Sequence, residues 1–302
     1  MNQTDPNPLF ELELDLPNEG LRNLPQRLVG FAQRFDRIQK DLRLLIDFDG
    51  LTKWSKRHYG DILVAVQVIK DRYPLVIFQG DVGTGKTQTA EVAADLLTRE
   101  LKREGRLFKL STGVRGHGMV GQMSTLINQA FQIIVKEAGK NRLSFLIIDE
   151  GDSLAGSRNV AQSHHEDKVA VNTLIQKIDD LKKYDGRVLV FLCTNRFSAL
   201  DPAIIRRAGR VEIFSRPDEH ERELLLKMDC DGLGFSDEFL REIVALTGPD
   251  ATGGKPGFTF SDLRTRLLPE AIANAYPNRK ITEDDLVMAA RAIVPSPAVK
   301  DT

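Results

Sequence analysis

One stretch constrains this chain more than any other: Gly80-Asp81-Val82-Gly83-Thr84-Gly85-Lys86-Thr87, a G-x-x-x-x-G-K-T string. Each fixed position has a physical job. The glycines let the backbone curl until successive N–H groups converge on one anion. Lys86 reaches the β- and γ-phosphates of a nucleotide as a point charge, and the Thr87 hydroxyl is a ligand for Mg²⁺. The flanks agree. The apolar run Leu75-Val76-Ile77-Phe78 predicts a buried strand, and residues 87–104 carry apolar side chains at helical spacing among good helix formers. A phosphate cradle between a strand and a helix N-terminus follows, where the aligned peptide dipoles favour negative charge.

The rest of the 302 residues alternates in the way such a loop requires. Strands are predicted at 75–79, 107–110, 144–149, 188–193 and 211–214, separated by longer helical stretches. Phe145-Leu146-Ile147-Ile148 and Val188-Leu189-Val190-Phe191-Leu192 are unbroken apolar runs, which suit strands buried on both faces of a parallel sheet. This predicts an α/β core with right-handed crossovers. After Pro217 only helical patterns remain, at 219–228, 236–246, 261–276 and 282–293, with a glycine-proline loop over 247–257. Thr282 with Asp285 reads as a helix start resembling a capping box. Upstream, 21–47 reads as one helix, and Glu11-Leu12-Glu13-Leu14-Asp15-Leu16 reads equally as a short strand or an ordered arm.

Charge excludes little but is informative. Lysine plus arginine (42) nearly balances aspartate plus glutamate (43), and no basic stripe stands out, so nucleic acid is not an expected partner. Cys193 and Cys230 lie far apart, with neither metal-ligand spacing nor a disulfide framework. No signal peptide and no run long enough to span a bilayer is visible, so the expectation is a cytoplasmic protein without a membrane partner.

The remaining candidates complete a hydrolytic site. Leu146-Ile147-Ile148-Asp149-Glu150 ends a buried strand in two acids. Ligands of open α/β sheets bind at the carboxyl ends of strands. Asp149 is placed to hold Mg²⁺ opposite Thr87, and Glu150 to polarise the attacking water. Asn195, just after another strand, is the candidate for touching the γ-phosphate or that water. Arg206, Arg207 and Arg210 crowd one short segment. They read either as a solvated charge run or as arginines that reach the nucleotide of a neighbouring subunit and stabilise transition-state charge.

Together these residues resemble the AAA+ ATPases. Residues 80–87 resemble the Walker A motif, Leu146 to Glu150 Walker B, and Asn195 sensor 1. The Asp201-Pro202-Ala203-Ile204-Ile205-Arg206-Arg207-Ala208-Gly209-Arg210 segment resembles the arginine-finger motif, which implies Arg207 and Arg210 as the trans-acting pair. The resemblance covers roughly 48–293. It implies a parallel five-stranded α/β ATPase domain over 49–216, a small helical lid over 217–302, and an N-terminal arm and helix over 1–48. It also implies a homohexameric ring with ATP and Mg²⁺ bound between subunits.

A narrower resemblance is to the pachytene-checkpoint (thyroid-receptor-interacting) branch. It rests on Ser157-Arg158-Asn159, the helix 167–179, the strand 188–196, and Phe260-Ser261-Asp262-Leu263-Arg264-Thr265-Arg266, which resembles a sensor-2 helix. Arg264 or Arg266 would then contact the γ-phosphate in cis, the motif being out of phase at the first arginine. That branch uses ATP to remodel HORMA-domain proteins, and bacterial relatives accompany them in antiphage defence. The first pore loop is expected within 111–121, with Met119 and Val120 gripping an extended peptide. The second is expected over 156–167, including Arg158. The branch's eukaryotic members carry a sizeable N-terminal substrate-binding domain, whereas here about 50 residues precede the ATPase. Two rival functions are a DNA-linked AAA+ ATPase, such as a helicase or clamp loader, and a nucleotide-gated scaffold.

Overall fold

The computed structural model describes residues 9–111, 122–156, 165–250 and 254–299. The chain divides into two compact units. One comprises Met1–Arg27, Phe31–Gln79 and Thr87–Glu212; the other comprises Leu28–Gly30, Gly80–Lys86 and Ile213–Thr302.

A six-stranded sheet has the order β1-β3-β4-β5-β2-β6, built from β1 (Phe10–Leu16), β2 (Leu75–Gly80), β3 (Gly105–Leu110), β4 (Leu143–Ile148), β5 (Val188–Thr194) and β6 (Arg210–Phe214). The neighbours β3–β4, β4–β5 and β5–β2 are parallel. Every residue of β4 and β5 is buried, as strands covered on both faces must be. Phe78, Phe191 and Phe145 line up across β2, β5 and β4, with ring centroids 5.5 and 6.5 Å apart. Helix Gln122–Ala138 turns Ile127, Phe131 and Ile134 toward the opposite face, where they pack with Leu146, Ile148, Val190 and Leu192.

The structure departs from the sequence reading in two places. The sheet has six strands rather than five, because the acid-leucine stretch forms β1, antiparallel to β3 at the edge. Its ladder slips once: Phe10 pairs with Leu110 and Leu12 with Lys109, leaving Glu11 as the extra residue of a bulge. Farther on, the single helix predicted over 21–47 is broken. A short turn, Leu24–Arg27, precedes the helix Phe31–Ile46. Gly30 between them sits at φ 71°, a left-handed conformation that ends a helix.

The second unit is helical beyond β6. Helix Glu219–Asp229 starts from a capping box of Asp218 and Glu221, and Asp237–Leu246 from Ser236. A π-helical segment, Asp262–Leu267, runs into Leu268–Ala275, and Glu283–Ala292 closes the set. Leu226, Ile243, Phe258, Leu263, Leu267 and Leu286 form its core. Among the described residues no helix is long and apolar enough to cross a membrane.

Candidate nucleotide-binding site

The loop after β2 is held in shape from within the second unit. Gly80, Gly83 and Gly85 have φ of 147°, 75° and 89°, conformations open to glycine and strained for other residues. Close approach adds a second reason. A Cβ at Gly80 would run into the Phe214 carbonyl, and one at Gly83 would meet Ser261 Cβ at 2.7 Å and Thr259 Oγ1 at 2.8 Å. Lys86 is buried, and its Nζ donates to the carbonyls of Gly80 and Asp81, both at 2.8 Å. The Thr84 hydroxyl also donates to the Asp81 carbonyl, at 2.8 Å. The ammonium is thus pre-positioned over the loop rather than extended into solvent.

Asp81 itself turns its carboxylate away from that role. Arg216 Nε donates to one oxygen at 2.6 Å and the Val299 amide to the other at 2.8 Å. Arg216 also donates to the carbonyls of Gly257 and Ser296. What the loop offers a phosphate at position 81 is therefore backbone, not a like-charged side chain. Val82 is exposed at the loop tip.

In the first unit, Asp149 stands just past the end of β4. Thr87 Oγ1 donates to Asp149 Oδ2 at 2.8 Å, and the Glu150 amide donates to Oδ1 at 3.0 Å. Lys109 Nζ, on β3, lies 3.4 Å from that same Oδ2 and 2.6 Å from Glu11 Oε1. Burial pushes the carboxyl of Glu91 above its ordinary value, with Lys109 opposing and Asp149 and Glu11 reinforcing the shift. Glu150 is exposed and adopts φ 49°, ψ 47°, a conformation uncommon for residues other than glycine and concentrated at functional sites. The Ser153 amide and hydroxyl both donate to its carbonyl, at 3.0 and 2.7 Å, which locks the turn. Asn195 follows the end of β5, half-buried. There Thr194 Oγ1 donates to Asp152 Oδ1 at 2.9 Å and receives the Arg196 amide.

Comparison with known proteins gives the chain its family. The family described as "ATPase family associated with various cellular activities (AAA)" matches residues 76–216. CD-NTase-associated protein 6 of Escherichia coli (strain KTE188) is 48% identical over 294 residues, covering 97% of this chain and 98% of that protein. The chain belongs to the AAA ATPase family. Among solved structures, a chain of the E. coli MS115-1 HORMA:CdnC:Trip13 complex is 39% identical with a TM-score of 0.88, the match covering 96% of this chain and 97% of that one. Rhizobiales Trip13 is 33% identical with a TM-score of 0.70, over 96% of this chain and 100% of that one.

As an AAA ATPase the chain binds nucleotide and hydrolyses ATP. Four of the arginines expected to serve it, Arg207, Arg210, Arg264 and Arg266, are engaged within their own units. Arg207 is buried; its Nε and Nη2 donate to Asp179 at 2.5 and 2.8 Å, and its guanidinium lies 5.2 Å from the Tyr73 ring centroid. Arg210 donates to Asp41 at 3.1 Å and to Glu212 at 2.7 Å, and Arg37 reaches Glu212 as well. Arg206 is exposed. In the helical unit, Arg264 forms a two-point pair with Asp229 at 2.5 and 2.9 Å, while Arg266 Nη1 donates to Asp262 and to the Val294 carbonyl. Both arginines sit in the π-helical segment. Its hydrogen bonds run from i to i+5, so side-chain phase differs from that of an α-helix, and spacing alone does not choose between them. Met119, Val120 and Arg158 lie outside the described residues.

Sequence reasoning missed Lys109, Glu11, Asp152 and Arg216. A lysine inside the apolar strand Gly105–Leu110 was the available signal for the first of these. The others depend on pairings that no local pattern announces.

Proposed function

We propose that this AAA ATPase is a homohexameric remodeller that partly unfolds a HORMA-domain protein by drawing it through pore loops, within a bacterial antiphage signalling system. The observation that carries this reading is near full-length similarity. CD-NTase-associated protein 6 matches over 97% of the chain, and the HORMA:CdnC:Trip13 complex contains a chain that matches over 96%. The reading takes 49–216 as the ATPase domain, 217–302 as its lid and 1–48 as an added arm and helix.

The chemistry follows from the side chains. Lys86 and the loop amides of 80–87 hold the phosphates. Thr87 and Asp149 present hydroxyl and carboxylate oxygens 2.8 Å apart, hard donors of the kind Mg²⁺ selects. When bound, the metal neutralises charge on the phosphate oxygens. Glu150 accepts the proton of the attacking water, and Asn195 orients that water. Arg207 and Arg210 are assigned to the nucleotide of the next subunit. For Arg207 this means exchanging Asp179 for phosphate, a trade between two anions rather than exposure of a bare charge. Arg264 and Arg266 are the cis contacts, and Met119, Val120 and Arg158 the peptide-gripping residues.

The test is a pull-down with Glu150→Gln protein and ATP. A HORMA-domain protein retained with ATP and released with ADP supports the reading. Retention of DNA instead, or ATP turnover unchanged by Glu150→Gln, overturns it.

A further inference from the structure

Lys109 is held in a way that the hydrolytic chemistry alone does not explain. It is a cation placed against a carboxylate assigned to a cation. Its Nζ is 3.4 Å from Asp149 Oδ2, the oxygen that also receives the Thr87 hydroxyl. On its other side it is 2.6 Å from Glu11 Oε1. Glu11 reaches it because of the bulge in β1. Leu12 pairs with Lys109 and Phe10 with Leu110, so Glu11 is the extra residue between them; without the bulge, the Leu12–Lys109 register would set Glu11 opposite Leu110 instead. A bulge re-aims a side chain, and here it delivers a carboxylate to the ammonium. The Lys109 side chain is only 20% exposed, so solvent screening of these contacts is weakened. The other nearby acid, Glu91, is itself disfavoured as an anion by burial. It is a poorer alternative anchor than Glu11.

We infer that Lys109 is a positioning residue for hydrolysis, a latch shared between Asp149 and the bulge residue Glu11. It occupies Asp149 before the metal arrives and withdraws onto Glu11 when the metal takes that oxygen. Glu11 is then what lets the metal displace the lysine, and the edge strand β1 sets the metal affinity of the site. This rests on the assignment of Thr87 and Asp149 to Mg²⁺.

The latch makes a prediction that a simple field of charges does not. Removing Lys109 removes the competitor, so Mg²⁺ binds more tightly. Removing the Glu11 charge leaves Lys109 with Asp149 alone, so Mg²⁺ binds more weakly. Without Lys109, however, Glu11 has nothing to hold, and its loss changes little. Field effects alone would weaken Mg²⁺ binding by the same factor in both backgrounds.

The experiment is calorimetric titration of ATP into full-length Glu150→Gln protein over a series of Mg²⁺ concentrations, reading the Mg²⁺ needed for half-maximal tightening. Lys109→Met is expected to lower that concentration about tenfold and Glu11→Gln to raise it about tenfold. The double variant is expected to match Lys109→Met. An equal Glu11→Gln effect in both backgrounds, or no shift in either, overturns the latch. Glu11 is exposed, so Glu11→Gln is expected to fold even if Lys109→Met does not. Lys109→Gln then replaces Lys109→Met as the second background, and an unchanged or tighter Mg²⁺ response to Glu11→Gln overturns the inference outright. If ATP affinity ignores Mg²⁺, or still responds to it in the Asp149→Asn version, the metal assignment falls and the latch with it. A response that runs through Asp149 but ignores Lys109 and Glu11 removes the latch alone.

Discussion

Asp262 and Asp149 are both carboxylates at the start of a turn, one in each unit, and they are filled to different degrees. Asp262 is 1% exposed. It accepts from the amide and hydroxyl of Thr259, from the amide and hydroxyl of Ser296, and from Arg266 Nη1. Burial alone would raise its pKa, but the bonds from Thr259 and Ser296 outweigh that and hold it below the usual carboxylate range. Asp149 is partly exposed, with Thr87, Lys109 and its own neighbour's amide around it. A buried carboxylate whose lone pairs are all spoken for organises structure; one still within reach of solvent remains available for a ligand. The same side chain is a clamp in one place and, in the proposed reading, a metal ligand in the other, because of its donors.

Substitutions at the two carboxylates and at their neighbours test that contrast. The largest effect is expected at the reactive end: Glu150→Gln should cut ATP turnover, measured by phosphate release, by about 10²- to 10⁴-fold, the range of a lost general base. Its melting temperature should stay close to that of the parent, since Glu150 is exposed. Next comes the clamp. Asp262→Ala strands the Arg266, Thr259 and Ser296 donors and should cost about 3–5 kcal/mol in denaturant unfolding. Asp149→Ala, at a partly exposed position, should cost under about 1 kcal/mol while abolishing the Mg²⁺ response. If the two cost the same, the distinction between clamp and reactive group is void.

An intermediate effect is expected at Arg207, which combines both characters. Arg207→Ala should destabilise the folded chain by about 1–3 kcal/mol through loss of the Asp179 pair and also reduce turnover. Asp179→Asn should destabilise comparably and spare more of the turnover. Equal losses of turnover in the two variants would mean that Arg207 acts only through its pairing.

The smallest effect is a pH dependence. Asp262 is held low as described, and Asp285 is lowered by its hydrogen bond with Arg279, offset by burial and reinforced by Thr282. A depressed carboxylate contributes stability above its unfolded value, about 4, that is lost as pH falls through the lowered folded value. Thermal melts from pH 5 to pH 3 should therefore show a falling midpoint, with a shallower fall in Arg279→Ala. A flat profile would show that these carboxylates are not clamps.

Much of the architecture was legible locally. The buried strands β4 and β5 announce themselves as apolar runs. The helices of the second unit were found to within a residue or two, because Ser236 and the Thr282–Asp285 pair are start signals readable in place. The break at Gly30 carries no such signal, because a glycine inside a helical period is often tolerated without ending the helix. Strand β1 is ambiguous for a different reason: alternating acid and leucine acquires meaning only once Glu13, Glu11 and Asp15 form ion pairs with Arg106, Lys109 and Arg142.

Where phosphate chemistry is expected is readable along the chain, since the glycine-lysine-threonine string and the Asp149-Glu150 pair are contiguous and their constraints are local. The partners that the charged groups take are set by the fold. It gave Asp81 to Arg216 and the Val299 amide, Arg207 to Asp179, Arg264 to Asp229, and Lys109 to both Glu11 and Asp149. The physical reason is that ion-pair energies depend on separations of a few ångströms between residues distant in the chain. A one-residue bulge such as the one at Glu11 resets those separations without leaving a mark in composition or periodicity.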